Sequence, residues 1–240
     1  MQSPKVVARI AGTFYLLLAV FSGFAELYVR GTIVERGDAA ATAANVLRHE
    51  TLFRIGFVSD LIGIASFLLV ALALFALLKH VNQNVARAML AFVAVAVAVM
   101  TANMLNHYAA LMAATDSSFA AAFTDAQSDS LVLMFLDLHK YGYLVAQVFF
   151  GLWLLPLGYL AYKSGLFPKS LGVLLMIGCF SYLADFVVRS LSPALSDDIS
   201  AYLTVPADIA EVWMIGYLLI IGVRKGVSLA RAEDRVLMPA

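Results

Sequence analysis

The sequence is poor in charge and almost devoid of cysteine. Only 13% of its 240 residues are Asp, Glu, Lys or Arg, about half the share of an ordinary soluble domain. So few charges cannot cover a water-facing surface. Acidic and basic residues balance at 16 each, so no basic field marks a nucleic-acid partner. Cys179 is the only cysteine, which excludes an intrachain disulfide. Within its apolar run it reads as a small packed or lipid-facing residue. Low-complexity tracts and long charged tails are missing. So are an HExxH motif, an i,i+4 histidine pair, a GxSxG elbow, a P-loop and a dinucleotide fingerprint. No motif indicates a cofactor, and no feature indicates an oligomeric state.

What is present is apolar. Hydrophobic residues make up 62% of the chain, and the mean hydropathy is +0.89. A membrane-spanning helix needs about 20 predominantly apolar residues. Such runs occur at Val6–Tyr28, Phe57–Leu78, Ala88–Ala113, Leu144–Tyr162, Leu171–Val188 and Leu203–Val223. The reading is an all-α, polytopic membrane helical bundle of six transmembrane helices, forming one domain over residues 1–240. The third run is long and its outer end is expected to extend beyond the membrane, and the fourth helix to begin early, near Ser130. Gly23-Phe24-Ala25 loosely fits a signal-peptide cleavage site, but the run before it is as long as a full span.

Lysine and arginine in short flanking segments set orientation. Lys5, Arg9, Lys79, Arg87, Lys163, Lys169 and Arg224 fall on one side of a six-crossing bundle. The other side carries fewer, mainly Arg30, Arg36, Arg48 and Arg54 in the first connection. The expectation is a multi-pass protein of the cell membrane with both termini cytoplasmic. Two outer connections read as short helices, one capped by Asp38 and one following Asp116. In the inner turn at Lys163–Gly172, Gly165 is placed to end one helix and Pro168 to open the next.

Ionisable groups inside a span are costly and tend to face a bundle interior or a cavity. Sorted by depth, they gather toward the outer ends of the helices: Glu26 and Arg30, Arg54 and Asp60, Asn103, Asn106 and His107, Asp137, His139 and Lys140, Asp185 and Arg189, Asp208 and Glu211. The inner halves are nearly bare, as in Ala65–Leu78 and Ala88–Met100. This asymmetry predicts an outward-opening polar pocket walled by aromatic residues such as Tyr141, Tyr143 and Trp213. Snorkelling side chains and an aromatic belt produce a similar pattern, and Arg30, Arg189 and Lys140 read that way. Asp60, Asn106, Asp185 and Glu211 lie deeper and are expected to face inward, as site groups or as polar contacts between helices.

Asp60, Asp185 and Glu211 are the candidate acid–base catalytic groups. Glu26, Arg54, Asn103, Asn106, His107, Asp137, His139 and Tyr141 are the candidate binding groups. His107 and His139 are the only plausible histidine ligands for a metal, with Asp60, Asp137, Asp185 or Glu211 as oxygen donors. Two imidazoles and a carboxylate suit zinc or iron, but no spacing motif singles out a ligand set. Glu26–Arg30 and Asp185–Arg189 both place an acid four residues before an arginine, on one helical face. The match raises the possibility that the first two helices and the last two are parallel repeats.

Several segments together resemble a known family. They are Ala8-Arg9-Ile10-Ala11-Gly12, Gly37–Asn45, Leu52-Phe53-Arg54-Ile55-Gly56, Phe149-Phe150-Gly151-Leu152 with Leu157-Gly158-Tyr159-Leu160, Ser164–Gly172, and Tyr182-Leu183-Ala184-Asp185. They are similar to the bacterial membrane family called domain of unknown function 4386. The resemblance covers nearly the whole chain and implies six membrane helices. It carries over no activity. Three readings of function stand at this point. One is a membrane protein binding a small molecule or lipid in a polar pocket, with acid–base catalysis available to it. The others are a transporter or channel, which needs a polar path through the bare inner halves, and a non-catalytic assembly or sensor subunit.

Overall fold

The computed structural model describes residues 3–224. Among the described residues there is helix and no strand. Helix α1 (Pro4–Gly23) opens with proline at its first position, behind Ser3, whose hydroxyl accepts from the Val6 amide; both residues favour a helix start. It runs on through a π-helical stretch, Phe24–Arg30, to Ile33. Short α2 (Ala39–Arg48) is capped by Asp38, whose carboxylate accepts from the Ala41 amide at 2.9 Å. Gly37 before it has φ +78°, a conformation that favours glycine.

Long α3 (Glu50–Leu78) and α4 (Gln83–Thr115) follow, then short α5 (Ser117–Ala122). Helix α6 (Asp125–Ser164) starts in a reciprocal cap. The Gln127 amide donates to the Thr124 hydroxyl, and Gln127 Oε1 accepts from the Thr124 amide, the capping-box arrangement. Gly165, at φ +70°, ends α6, and Pro168 precedes α7 (Lys169–Leu191). Helix α8 (Pro193–Ile220) packs against α7.

Six helices are long and apolar enough to cross a membrane: Pro4–Ile33, Glu50–Leu78, Gln83–Thr115, Asp125–Ser164, Lys169–Leu191 and Pro193–Ile220. They match the six apolar runs. The fourth begins before Ser130, as expected, and the sixth begins ten residues ahead of its run. Apolar side chains along them, among them Leu72, Val95 and Ile177, are exposed, as suits contact with lipid tails. Both expected short helices form. Outside the spans, the Asp116 carboxylate accepts from the Ser118 hydroxyl and amide, which hold its pKa below the usual carboxylate range.

The chain divides into two compact units. One comprises Leu17–Ser66 and Val97–Val145 and is called the histidine unit below. The other holds residues up to Leu16, Phe67–Ala96 and the chain from Ala146 onward, and is called the tryptophan unit.

The histidine unit has a core of Val29, Ile33, Val46, Phe53, Leu111 and Val132, with further alanines and leucines. The tryptophan unit is centred on Trp153, only 1% exposed, with Phe67 edge-on at 5.1 Å and Tyr15 at 5.8 Å between ring centroids. There α6 and α7 meet backbone to backbone: a Cβ added at Gly158 would lie 2.6 Å from the Gly172 carbonyl oxygen. Small residues allow this close approach between helices in lipid.

Candidate functional site

Asp60 is carried by a face of α3 shaped for close packing. Gly56, Asp60 and Gly63 follow at i, i+4 and i+7 and so share one face. A Cβ at Gly56 would lie 2.8 Å from Val29, and one at Gly63 would overlap the Ser22 hydroxyl. On the adjoining face, the Ser59 hydroxyl donates to the Phe21 carbonyl at 3.0 Å. The glycines therefore let the end of α1 and the π-helical stretch come against α3, where Arg30 meets Asp60.

Asp60 is completely buried. Its Oδ2 accepts from Arg30 Nη1 at 2.6 Å, and its Oδ1 from the Tyr143 hydroxyl at 3.1 Å. Arg30 also donates through Nε to Glu26 at 2.6 Å, and its guanidinium lies 5.8 Å from the Tyr143 ring centroid. Thus the expected Glu26–Arg30 pair forms, but Arg30 is buried at 8% exposure and bridges two carboxylates. Its remaining nitrogen, Nη2, is buried with no hydrogen-bond partner among the described residues.

His107 on α4 and His139 on α6 are each 1% exposed. Their rings meet edge to face at 5.7 Å, and Phe53 stacks on His107 at 3.9 Å. His107 Nε2 lies 3.1 Å from the Phe53 carbonyl oxygen, and His139 Nδ1 lies 3.3 Å from that of Asn103. A carbonyl only accepts, so each of these nitrogens carries the proton and donates. The other ring nitrogens, His107 Nδ1 and His139 Nε2, therefore hold lone pairs. Both are buried and have no partner among the described residues. Asn103 Nδ2 donates to the His139 carbonyl at 2.7 Å, so α4 and α6 clasp each other reciprocally at this level. Asn106 Nδ2 in turn donates to Asn103 Oδ1 at 3.0 Å. Gly142 is required here, because a Cβ would overlap the Asn103 amide. One ligand-capable atom each from Asp60, His107 and His139 lies within 4.8 Å of the other two.

The tryptophan unit has a polar network of its own. Glu211 accepts from the Tyr15 hydroxyl at 2.6 Å and from the Tyr182 hydroxyl at 2.7 Å. Tyr182 also reaches Asp208 at 3.4 Å. Asp185, completely buried, accepts from Gln147 at 2.7 Å and from Arg189 at 2.9 Å. Gln147 also donates to the Tyr182 carbonyl, which ties Asp185 to the Glu211 group. The three candidate carboxylates are thus divided: Asp60 belongs to the histidine unit, Asp185 and Glu211 to the tryptophan unit.

The helical repeat sorts the remaining candidates. On α6, Asp137 and Tyr141 (i,i+4) share one face, while His139 and Tyr143 share another. Asp137 and Tyr141 are exposed and border a shallow cleft of about 330 Å3 with Met134 and Leu138. Arg54 is half exposed, ion-paired to Glu50 at 2.7 Å, and borders an apolar cleft of about 560 Å3 formed with Phe21, Phe24, Ile55, Val58 and Ile62. Two cluster members escaped their sequence reading: Arg30 read as an interface cation, and Tyr143 as a wall aromatic. The i,i+4 spacing of His139 and Tyr143 was the available signal for the second. Nothing local signals that Arg30 turns inward.

Comparison with known proteins adds family and no activity. A curated relative from Archaeoglobus fulgidus, described as an uncharacterized protein, is 34% identical over 120 residues. The aligned stretch covers 50% of this chain and 58% of that protein, so the chain spans under two thirds of its relative's length. No solved structure matches. A family profile described as Domain of unknown function (DUF4386) matches residues 10–222. With six membrane-spanning helices bearing the polar groups just described, this chain belongs to the DUF4386 family of domains of unknown function.

Proposed function

We propose that the chain binds a small ligand within the bilayer-embedded polar cluster of the histidine unit. Asp60, His107 and His139 are its principal contacts, and Arg30 and Tyr143 orient them. One observation carries this reading: Arg30 Nη2, His107 Nδ1 and His139 Nε2 are all buried and unpartnered around a single buried carboxylate. More than about 90% of buried polar groups in proteins have partners, and each one left without costs about 1–3 kcal/mol. Three in one cluster is the pattern of groups kept ready for something else. Asp185 and Glu211, with their tyrosine and glutamine donors, are the acid–base groups available to the tryptophan unit.

The distribution of lysine and arginine supports both termini being cytoplasmic, which puts the cluster toward the outer ends of the spans. A fluorescent-protein fusion at the C-terminus should then be bright and a periplasmic phosphatase fusion inactive; the reverse result overturns the orientation. The ligand reading is tested by native mass spectrometry of the protein in mild detergent. Wild type is expected to retain a non-covalent adduct that Asp60→Asn loses. Adduct-free wild type in repeated preparations, or an adduct kept by Asp60→Asn, refutes it.

A further inference from the structure

We infer that Asp60, His107 and His139 form a binding site for one divalent transition-metal ion of the zinc or iron(II) class, with an open coordination position facing Arg30. The inference rests on the ligand-site reading above and names the ligand's chemistry.

The donor set comes first. Two imidazole nitrogens and one carboxylate oxygen suit zinc and non-haem iron, whereas calcium and magnesium take oxygen ligands. Three protein ligands leave a position for water or substrate, as catalytic zinc sites do; structural zinc sites use four. Each donor comes from a different rigid helix, α3, α4 and α6, the kind of support that holds a site within fractions of an ångström.

The second argument is orientation. A metal-bound histidine almost always donates its other ring N–H to a carbonyl or carboxylate, which fixes the tautomer and aims the free lone pair. Both histidines already do this, His107 to the Phe53 carbonyl and His139 to the Asn103 carbonyl. The nitrogens so released are the two buried, unpartnered ones.

Distance and charge agree. An ion about 2.1 Å from each donor in tetrahedral geometry sets donors roughly 3.4 Å apart. One ligand-capable atom of each of the three residues lies within 4.8 Å of the others, so a donor set drawn from those atoms has to close by about 1.4 Å at most. Asp60 retains Arg30 while coordinating, because an ionised carboxylate has about four lone-pair sites. Asp60, Glu26 and Arg30 sum to one negative charge. A divalent ion turns that into one positive charge, so the open position favours hydroxide or a ligand oxyanion, with Arg30 Nη2 as a donor.

The competing account is structural: the histidines only cross-link helices through carbonyls. An amide separates the two: glutamine in place of His107 and asparagine in place of His139 put an N–H near the ring nitrogen that donates to the carbonyl, while amides are poor metal ligands. Full-length protein in mild detergent, stripped by a chelator, is titrated with cobalt(II), a spectroscopic stand-in for zinc, and its metal content is measured by plasma mass spectrometry. The expected result is one cobalt per chain with visible absorption bands that zinc abolishes. His107→Gln and His139→Asn should keep the wild-type elution profile, which shows that they fold. Their affinity should fall more than about 100-fold, beyond the 10–100-fold effect of outer-shell changes. Acetate should shift the cobalt bands of wild type, and Arg30→Lys should weaken that response about tenfold, the loss of one charge-assisted hydrogen bond. Sub-stoichiometric cobalt in wild type, or full binding by both amide variants, overturns the metal site. Lack of an acetate response overturns the open position. A native-mass adduct that Asp60→Asn loses, in a protein that takes no cobalt, leaves the ligand reading standing and removes the metal; neither adduct nor cobalt removes both.

Discussion

Replacing Arg30 by methionine should be among the most damaging single changes in the histidine unit. The side chain is 8% exposed and holds the completely buried Asp60 at 2.6 Å. Methionine has similar length, so little packing is lost; what is lost is the counter-charge. Removing one partner of a buried ion pair costs about 3–5 kcal/mol, because the other charge is left uncompensated. Tyr143 still donates to Asp60, and Glu26, 60% exposed, is solvated without its arginine. The lower end of that range, about 3 kcal/mol, is therefore expected. At about 2–4 °C per kcal/mol for a chain of this size, the melting temperature should fall by about 6–12 °C. The assay is intrinsic-fluorescence unfolding in detergent with chelator present, so that bound metal plays no part. Adding Asp60→Asn to Arg30→Met removes the stranded charge while keeping an acceptor for Tyr143, and should recover at least half of the loss. Glu26→Gln breaks only the exposed arm, worth about 0–1 kcal/mol, so its melting temperature should drop by less than about 4 °C. Arg30→Met no worse than Glu26→Gln, or a double variant no better than Arg30→Met, refutes the reasoning.

Three further outcomes are expected in the same melting assay. Asp38→Ala removes the cap of α2 at the Ala41 amide and should cost about 1 kcal/mol, while Asp38→Asn should be near neutral. Gly142→Ala drives a methyl group into the Asn103 amide and should cost about 1–3 kcal/mol, with Asn103→Ala in the same chain relieving part of it. Glu211→Leu leaves the buried Tyr15 hydroxyl without its acceptor at 2.6 Å; Tyr182 retains Asp208 at 3.4 Å. The expected loss is about 1–3 kcal/mol, and Glu211→Gln should be milder.

Whatever depends on neighbours along the chain was legible in the residues themselves. Six spans follow from six apolar runs, because a helix in lipid must satisfy its own backbone and be long enough to cross. Asp38 as a cap, Gly165 as a stop and Pro168 as a start follow from local backbone requirements. Asp185 and Arg189 pair because 3.6 residues per turn puts i and i+4 side by side, and Glu26 and Arg30 keep the same i,i+4 contact within the wider π-helical turn. The place of each polar group along its own helix was readable too, because position in a run measures height along that helix.

Height says nothing about rotation around the helix axis, and the site depends on that rotation. Arg30 and Asp137 are both charged and both read from the sequence as outer-end groups, yet Arg30 turns inward to Asp60 and Asp137 faces out. The π-helical stretch changes the phase of the first span at Phe24–Arg30, a local shift in register that apolar periodicity does not reveal. The approach of α3 through Gly56 to Val29 and through Gly63 to Ser22, and the clasp of Asn103 with His139, join residues 27 to 41 positions apart. Their meeting depends on how helices cross and turn in three dimensions. For this reason composition could establish that six helices are apolar enough to cross a membrane and how far along its own helix each polar group lies. Only packing could decide that Asp60, His107 and His139 face one another while Asp185 and Glu211 join a different network.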